Sequence, residues 1–209
     1  MKLYYSPGAC SLSPHIVVRE AGLPVTLVQA STKTHRLDDG TDYYGIHPKG
    51  YVPLLELDSG ERLSEGPAIV QYLADRNPAS GLAPAAGTME RYRLQEWLNF
   101  ITSELHKQFG PMFAANTPEE YKKILREKIA GRYDWLSGEL GGKDYLMGKQ
   151  FTVADAYLYT ILRWTGFVGM DLKRWPVLAA YESRVGSRPR VREALVAEGL
   201  IKVPEKTGA

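Results

Sequence analysis

The sequence has 209 residues, of which 44% are hydrophobic and 24% are charged, as in a globular protein with one large or two small domains. The formal net charge of +2, without a concentrated basic run, argues against a nucleic-acid partner or a charged membrane surface. The one cysteine cannot form an intrachain disulfide, and no apolar run is long enough to span a bilayer, so we expect a cytoplasmic protein.

The first segment combines a short strand, a turn and the cysteine. Leu3 to Tyr5 is apolar and predicts a strand, Pro7-Gly8 breaks it, and helical spacing starts at Ser11. Cys10 therefore lies at a helix start, where free N–H groups and the helix dipole lower the pKa of a thiol. This stretch alone leaves open whether Cys10 is a reactive thiolate or a small buried apolar residue.

Residues 1–77 predict an α/β domain with the thioredoxin-like element order βαβαββα. A strand, a helix and a second strand at Val25 to Gln29 favour a parallel βαβ unit with a right-handed crossover. Only one helical turn, around Tyr43 to Ile46, is expected in the polar stretch that follows. The remaining elements are a hairpin of residues 54–57 and 61–63 around Asp58-Ser59-Gly60, and a helix that opens after Ser64-Glu65-Gly66-Pro67.

Residues 78–87 are rich in proline, alanine and glycine and predict a linker, followed by an all-helical domain over residues 88–209. The predicted helices are 89–109, with the apolar stripe Leu94, Leu98, Ile101 and Leu105; 119–140, with Ile124, Ile129, Tyr133 and Leu136 as buried candidates; one opening at 152; and a pair over 176–197, interrupted at 187–189. Thr152 and Asp155 have the spacing of a capping box.

Two further features of residues 1–77 suggest binding chemistry. If the Val52-Pro53 bond were cis, the backbone of Val52 would be free to pair with an extended peptide, although a trans proline opening an edge strand is the commoner arrangement. Glu65 with the free N–H groups after it could hold an ammonium and a carboxylate, or be an ordinary helix start. Together with a thiolate, these features describe a site for a small thiol peptide.

The 89–109 helix has a polar face with unusually few lysines and glutamates. It carries Tyr92, Asn99, Ser103 and His106, opposite the apolar stripe. The face is either solvated or part of a site, and His106 is either a base, a hydrogen-bond donor or a structural residue. Phe109 and Trp164 are either core residues or walls of an apolar pocket.

Several motifs in chain order resemble the beta-class bacterial glutathione transferases, over essentially the whole chain. These are the residues 5–12 (YSPGACSL), 47–53 (HPKGYVP), 65–75 (EGPAIVQYLAD), 97–100 (WLNF), 103–107 (SELHK) and 151–158 (FTVADAYL). The last of them is similar to the capping motif in the helical domain of that superfamily.

The resemblance implies a homodimer that transfers glutathione, as co-substrate and without a metal, to small hydrophobic electrophiles. It implies catalytic roles for Cys10, Tyr5 and His106. It implies glutathione contacts by Cys10, His35, Val52, Pro53, Glu65, Gly66 and His106, with Asn99, Ser103 and Glu104 reaching the glutathione site of the opposite subunit. It implies an electrophile pocket with Lys107, Phe109, Tyr157 and Trp164.

Two positions depart from the family pattern. His35 stands where relatives often carry a lysine for the glycine carboxylate of glutathione, and a neutral histidine is a poorer carboxylate partner. Gly66 stands where the wider superfamily usually has serine. Glycine is found there in many beta-class members, and it leaves backbone N–H contacts only.

Ser13 stands where a second redox cysteine would be, so no internal disulfide forms.

The chemistry expected from the resemblance has variants. Glutathione-dependent disulfide reduction through a mixed disulfide at Cys10 and reductive dehalogenation both use the same thiol chemistry. The alternative of a different class is a non-catalytic protein that binds apolar ligands or glutathione conjugates. The presence of Tyr5, Cys10 and His106 favours the enzyme.

Overall fold

A computed structural model describes residues 1–202, and its first elements form a four-stranded sheet. The strands are β1 (Lys2–Tyr5), β2 (Thr26–Gln29), β3 (Leu54–Glu56) and β4 (Arg62–Ser64). Their order across the sheet is β2-β1-β3-β4, with β1 parallel to β2 and antiparallel to β3, and with β3 and β4 paired as a hairpin. The predicted parallel unit and the predicted hairpin are both confirmed.

The helices of this half are α1 (Leu12–Glu20) and α2 (Gly66–Arg76). Between β2 and β3 the chain forms only a 3₁₀ turn, Tyr43–Gly45, because this polar stretch has no apolar stripe to bury. Both α-helices bury an apolar face, with Leu12, Ile16, Val17, Ile69, Val70 and Leu73 almost inaccessible to solvent. Their packing on the sheet gives the expected thioredoxin-like half.

The second half is helical, as predicted. Its helices are α3 (Met89–Phe100), a π-helical segment (Ile101–His106), α4 (Lys107–Phe113), α5 (Glu119–Leu140), α6 (Val153–Leu162), α7 (Pro176–Gly186) and α8 (Pro189–Ala197). A 3₁₀ turn, Pro78–Ser80, and an irregular stretch connect α2 to α3. The division into domains at residues 77 and 88 stays a prediction, and the part of the last domain beyond residue 202 lies outside the described residues.

The predicted 89–109 helix is continuous from α3 through the π-helical segment into α4, four residues further than expected. Its predicted apolar stripe is buried at all four positions. The π-helical segment carries more residues per turn than an α-helix, so it rotates the side chains after residue 101 relative to a straight helix. His106, at the end of this segment, is half-buried, whereas Asn99 and Ser103 are exposed.

Helix α5 has the predicted bounds, but one of its predicted core residues is wrong. Ile124 is 46% exposed, and its neighbour Leu125 is buried instead, whereas Ile129, Tyr133 and Leu136 are buried as expected. Leu125 lies four residues before Ile129 and so shares its face, while Ile124 lies five before it. The capping box of α6 is confirmed, since the Asp155 carboxylate accepts the Thr152 N–H at 2.8 Å.

One continuous cluster of buried side chains joins the two halves of the molecule. It includes Leu3 and Leu55 from the sheet and reaches Leu158 of α6 and Leu195 of α8. Within residues 1–202, no helix has the length and apolar character needed to cross a membrane.

Candidate active site

Two cavities meet at the start of α1. The larger, of about 680 Å³, lies between the loop before α1 and the segment after α6, and the smaller, of about 280 Å³, lies between α2 and the π-helical segment. Both are lined by Cys10, Tyr51, Val52 and His106. A ligand that fills the smaller cavity can therefore present one end to a second molecule in the larger one.

Cys10 lies at the junction of the two cavities, two residues before α1. Its Sγ donates to the carbonyl oxygen of Val52 at 3.2 Å. Burial raises the pKa of Cys10 to about 12, although the N–H groups of Cys10 and Ser11 act in the opposite direction. The lowering that the helix start predicts is thus present, but it is smaller than the cost of desolvating a thiolate.

The backbone at Val52 is arranged as the peptide-pairing hypothesis requires. The Val52-Pro53 bond is cis, and within residues 1–202 the Val52 N–H has no hydrogen-bond partner. The Val52 carbonyl already accepts the Cys10 thiol, which leaves one of its lone pairs available. An extended ligand can therefore pair with Val52 through both backbone groups.

Glu65 and Gly66 form one end of the smaller cavity. Glu65 has a φ of +69°, a conformation that non-glycine residues rarely adopt, and this backbone directs the chain into α2. The Glu65 carboxylate binds the Lys49 ammonium at 2.9 Å, and this hydrogen bond lowers its pKa. Since Ala68 donates to Glu65 O and Pro67 has no N–H, the Gly66 N–H is the donor left at this helix start.

His106 stands between the cavities, with its ring packed against two aromatic side chains. Its Nδ1 lies 2.6 Å from the hydroxyl of Tyr157, and its ring meets that of Trp164 at a centroid distance of 5.0 Å. Burial, followed by the positive charge of Lys107, lowers the pKa of His106 to about 4. His106 is therefore neutral at pH 7, with one ring N–H and one acceptor nitrogen.

Aromatic side chains form the far wall of the larger cavity. Trp164 donates its Nε1–H to Gly8 O at 2.9 Å, which ties this wall to the loop that carries Cys10. Phe113 and Phe167 line the same wall and are 51% and 78% exposed. Such exposed rings leave a site for a flat apolar molecule.

His35 lines the larger cavity from the opposite side and is held in place by Gly50. Its Nδ1 lies 3.1 Å from Gly50 O, and its ring packs on Tyr44. A Cβ at Gly50 would come within 2.7 Å of His35 Nδ1 and 2.6 Å of the Tyr44 ring, so only glycine fits here. Gly50 also has a φ of +66°.

The structure places most of the other predicted site residues in the smaller cavity. Pro53, Gly66, Lys107 and Tyr157 line it, so Lys107 and Tyr157 are not on the aromatic wall where an electrophile pocket was expected. Phe109 lines neither cavity, since it is fully buried behind Trp164 and packs its ring on the indole. Phe109 therefore lies behind the wall of the larger cavity rather than on it, whereas a role for Lys107 and Tyr157 beside an electrophile stays a prediction.

Tyr5 also lies away from the cavities. It is almost buried and lines neither cavity, and its hydroxyl faces Gln29 Oε1 at 3.5 Å, so its expected role beside the reacting thiol stays a prediction. Asn99 and Ser103 are exposed, and Glu104 pairs with Arg132 at 2.7 Å. Within residues 1–202, none of these three lines either of the two cavities.

Several cavity residues were not named as site residues from the sequence, although some of them lie within the motifs quoted above. They are Ser6, His47, Tyr51, Ser64, Thr102, Phe113, Arg163, Phe167 and Leu200. Phe113 and Phe167 could have been found as aromatic residues at helix ends, outside any apolar stripe. Tyr51 precedes the Val-Pro pair and reaches both cavities only because the chain turns there.

Among residues 1–202, no three His, Cys, Asp or Glu side chains cluster closely enough to hold a metal ion.

Comparison with known proteins identifies the family. The glutathione S-transferase N-terminal domain model matches residues 8–76, and the glutathione S-transferase C-terminal domain model matches residues 100–189. The chain is 46% identical over 200 residues to glutathione S-transferase GstA of Escherichia coli O157:H7, which covers 96% of this chain and 100% of that protein. The chain belongs to the glutathione S-transferase family.

Solved structures of bacterial glutathione S-transferases are similar to this chain over nearly its whole length. A sphingomonad glutathione S-transferase complexed with glutathione has a TM-score of 0.92 and 48% identity, and the match covers 96% of this chain and 100% of that one. The bacterial beta-class glutathione S-transferase of Sphingomonas chungbukensis has a TM-score of 0.93 and 45% identity, again over 96% and 100%. The beta-class resemblance is thus confirmed, and the cavities described above belong to a glutathione S-transferase fold.

Proposed function

We propose that this protein transfers glutathione to small hydrophobic electrophiles. The observation that carries the proposal is the meeting of two chemically different cavities at Cys10, Val52 and His106. The smaller offers a carboxylate, free backbone groups and a histidine, which suit a zwitterionic peptide. The larger offers an aromatic wall, which suits an apolar acceptor. The comparisons give no support to a non-catalytic ligand carrier.

Glutathione occupies the smaller cavity with its γ-glutamyl end at Glu65 and Gly66. The ligand ammonium takes the place of the Lys49 ammonium on Glu65, and the Gly66 N–H binds the ligand carboxylate. Val52, beside Pro53, pairs with the peptide backbone, and the glycine end extends toward His35. The sulfur then lies near Cys10 and His106, facing an electrophile held by Phe113, Trp164 and Phe167.

Disulfide reduction is a second mode of the same site. The Cys10 thiolate would attack a glutathione mixed disulfide, releasing the other thiol, and a second glutathione would then release oxidised glutathione and the Cys10 thiol. The raised pKa of Cys10 makes this attack slow at neutral pH, because the thiolate is the nucleophile. At neutral pH the raised pKa of Cys10 therefore favours conjugation over the reactions that pass through a Cys10 thiolate.

Calorimetric titration with glutathione tests the proposal. We expect saturable binding to the wild type, a loss of about 10- to 100-fold in affinity in Glu65→Ala, and nearly full affinity in Cys10→Ala, because only Glu65 contributes a charged hydrogen bond. Glu61→Ala is the matched control, since this carboxylate lies on an exposed turn outside both cavities. Absence of binding to the wild type would refute the proposal.

A homodimer completes the proposed site. We expect Asn99, Ser103 and Glu104 to reach the glutathione of the partner subunit, since they share a helix with His106 but line neither of the two cavities that residues 1–202 form. Beside them, Trp97, Phe100 and Trp135 form an aromatic cluster, and Trp135 is 47% exposed.

Oligomeric state tests the dimer directly. Sedimentation is expected to give twice the mass of the chain for the wild type. It is expected to give the same mass for the control variant Tyr121→Glu, because Tyr121 is an exposed residue of α5, the helix that carries Trp135, but lies outside the aromatic cluster. Trp135→Glu is expected to give monomers, and a wild-type monomer would contradict the proposal.

Because glutathione must be reduced for this chemistry, we also expect the protein to work in a reducing compartment, the cytoplasm.

A further inference from the structure

We propose that Tyr157 is a positioning residue that donates its hydroxyl proton to His106 Nδ1, and so makes His106 Nε2–H a hydrogen-bond donor to the glutathione sulfur. The second half of this inference rests on the proposed function. The first half concerns the protein alone and can be tested without a ligand.

Tyr157 and His106 form a close pair, in which Tyr157 is buried and His106 is half-buried. The Tyr157 hydroxyl lies 2.6 Å from His106 Nδ1, and the two rings meet edge to face at 83°. Tyr157 is 3% exposed on α6, and Trp164 packs against the imidazole ring as well. The ring of His106 is thus held in one orientation by two aromatic neighbours and one hydrogen bond.

The hydrogen atoms around the pair can be assigned from their partners. Thr102 Oγ1 donates its one hydrogen to Leu98 O at 2.8 Å, so it has none left for Tyr157, whose hydroxyl lies 3.4 Å away. The short partner of the Tyr157 hydroxyl is His106 Nδ1. A phenol O–H is a stronger donor than an imidazole N–H, so the proton stays on Tyr157 and Nδ1 accepts it.

The protonation states agree with this assignment. Burial raises the pKa of Tyr157 above its ordinary value, so the hydroxyl keeps its proton. Burial and the charge of Lys107 lower the pKa of His106, so the ring carries a single proton at neutral pH. With Nδ1 accepting from Tyr157, that proton is on Nε2.

The consequence concerns how the thiol of glutathione is activated. Nδ1 is occupied by Tyr157, so Nε2 is the ring nitrogen left for a ligand in the cavities that His106 lines. An Nε2–H group stabilises a thiolate by donating to it, whereas an unprotonated Nε2 would act as a base. His106 therefore favours the thiolate as a donor, and the thiol proton leaves to solvent.

Nitrogen NMR of histidine-labelled protein tests the tautomer without glutathione. In the wild type we expect His106 Nε2 to carry the proton and Nδ1 to be an acceptor, with the signals assigned by their loss in His106→Gln. In Tyr157→Phe we expect the two tautomers to mix. Tyr159→Phe is the matched control, because this buried tyrosine of the same helix bonds to Arg163 instead. A proton on Nδ1 in the wild type, or no change in Tyr157→Phe, would overturn the proposal.

Thiolate absorbance of bound glutathione tests the consequence. In Tyr157→Phe we expect the apparent pKa of the bound thiol to rise by about one unit, which leaves about 10-fold less thiolate below that pKa. Tyr159→Phe should show no rise. A changed tautomer with an unchanged thiol pKa would overturn the positioning role. If the wild type binds no glutathione, the proposed function fails and with it this role, while the NMR result still decides the tautomer.

Discussion

Burial keeps both titratable groups at the cavity junction neutral, and it does so by opposite shifts. The pKa of Cys10 rises to about 12 and that of His106 falls to about 4, because a buried thiolate and a buried imidazolium are both poorly solvated. Neither side chain therefore adds a charge that would compete with the thiolate of a bound ligand. We therefore expect the reactive thiolate at this site to belong to the ligand.

The Cys10 shift predicts slow alkylation of the native protein. With iodoacetamide at pH 7, native Cys10 should react at least about 100-fold more slowly than in denaturant, where its pKa returns to about 8.5. Since the folded-state pKa is the higher one, unfolding releases a proton between these two values, and the free energy of unfolding should fall as pH rises from about 8.5 toward 12. Equal alkylation rates in the native and unfolded protein would contradict the shift.

Gly50 and Gly60 both have left-handed backbones, but only Gly50 lies beside the candidate site, so substituting each of them distinguishes backbone strain from an effect on ligand binding. Gly50→Ala and Gly60→Ala both put a Cβ on a left-handed residue, with φ of +66° and +87°, and this backbone strain should cost about 1–2 kcal/mol of stability in Gly60→Ala and more in Gly50→Ala. Only at Gly50 does the Cβ meet His35 and Tyr44, whereas Gly60 faces open space. Glutathione titration should show weaker binding in Gly50→Ala alone. Equal glutathione affinities in the two variants would show that His35 is not part of the binding site.

At the scale of elements, the start of α6 depends on one buried carboxylate. Asp155 accepts from Thr152 N at 2.8 Å, Thr152 Oγ1 at 2.9 Å, Leu146 N at 2.8 Å and Tyr181 OH at 2.8 Å. Its removal leaves several buried donors without a partner, each of which costs about 1–3 kcal/mol. Asp155 thus joins the loop before α6, the helix itself and α7.

Asp155→Ala should therefore lower the free energy of unfolding by at least about 3 kcal/mol in urea titration. Asp171→Ala is the control, because this aspartate also caps a helical turn, the 3₁₀ turn Leu172–Arg174, by accepting from Lys173 N, but is exposed. We expect it to cost about 0.5–1 kcal/mol. Similar losses in both variants would mean that Asp155 acts only as a cap.

The helices show what a sequence pattern can and cannot predict. The bounds of α5 and the stripe Leu94, Leu98, Ile101 and Leu105 follow from apolar spacing, since burial of one face is what stabilises such helices. The π-helical segment does not follow from it, because spacing says nothing about an extra residue per turn. That segment decides where His106 points, so the sequence identified the residue but not its partner Tyr157.

The cavities depend even more on tertiary structure. Cys10, Val52 and Glu65 were predicted from local backbone features that each carry their own signal, namely a helix start, an X-Pro bond and a helix cap. Phe113 and Phe167 reach the same site from separate segments, and their exposure reflects how α4 and the segment after α6 pack. Tyr5 was placed at the site by resemblance, but its strand position turns it toward Gln29.

At the scale of the whole molecule, the end of the helical half holds the loop that carries Cys10. The wholly buried carboxylate of Glu198, just after α8, accepts from Gly8 N at 2.9 Å and bonds His15 Nδ1 at 2.8 Å. Gly8 is also the residue whose carbonyl binds Trp164. The two halves of the chain therefore meet at the edge of the larger cavity through polar groups as well as through the common core.

This connection predicts that the two halves unfold together and that Glu198 contributes strongly to their stability. Glu198→Ala should lower the free energy of unfolding by about 3–5 kcal/mol, because it leaves buried polar partners unpaired. Glu193→Ala on α8 loses only an exposed pair with Arg190 and should cost under about 1 kcal/mol.

All four tryptophans lie after residue 88, so their fluorescence reports the helical half, and alkylation of Cys10 reports the first half. Coincident urea midpoints at one protein concentration are expected from the common core. Separate midpoints in the wild type would show that each half folds on its own and that Glu198 joins two independent units.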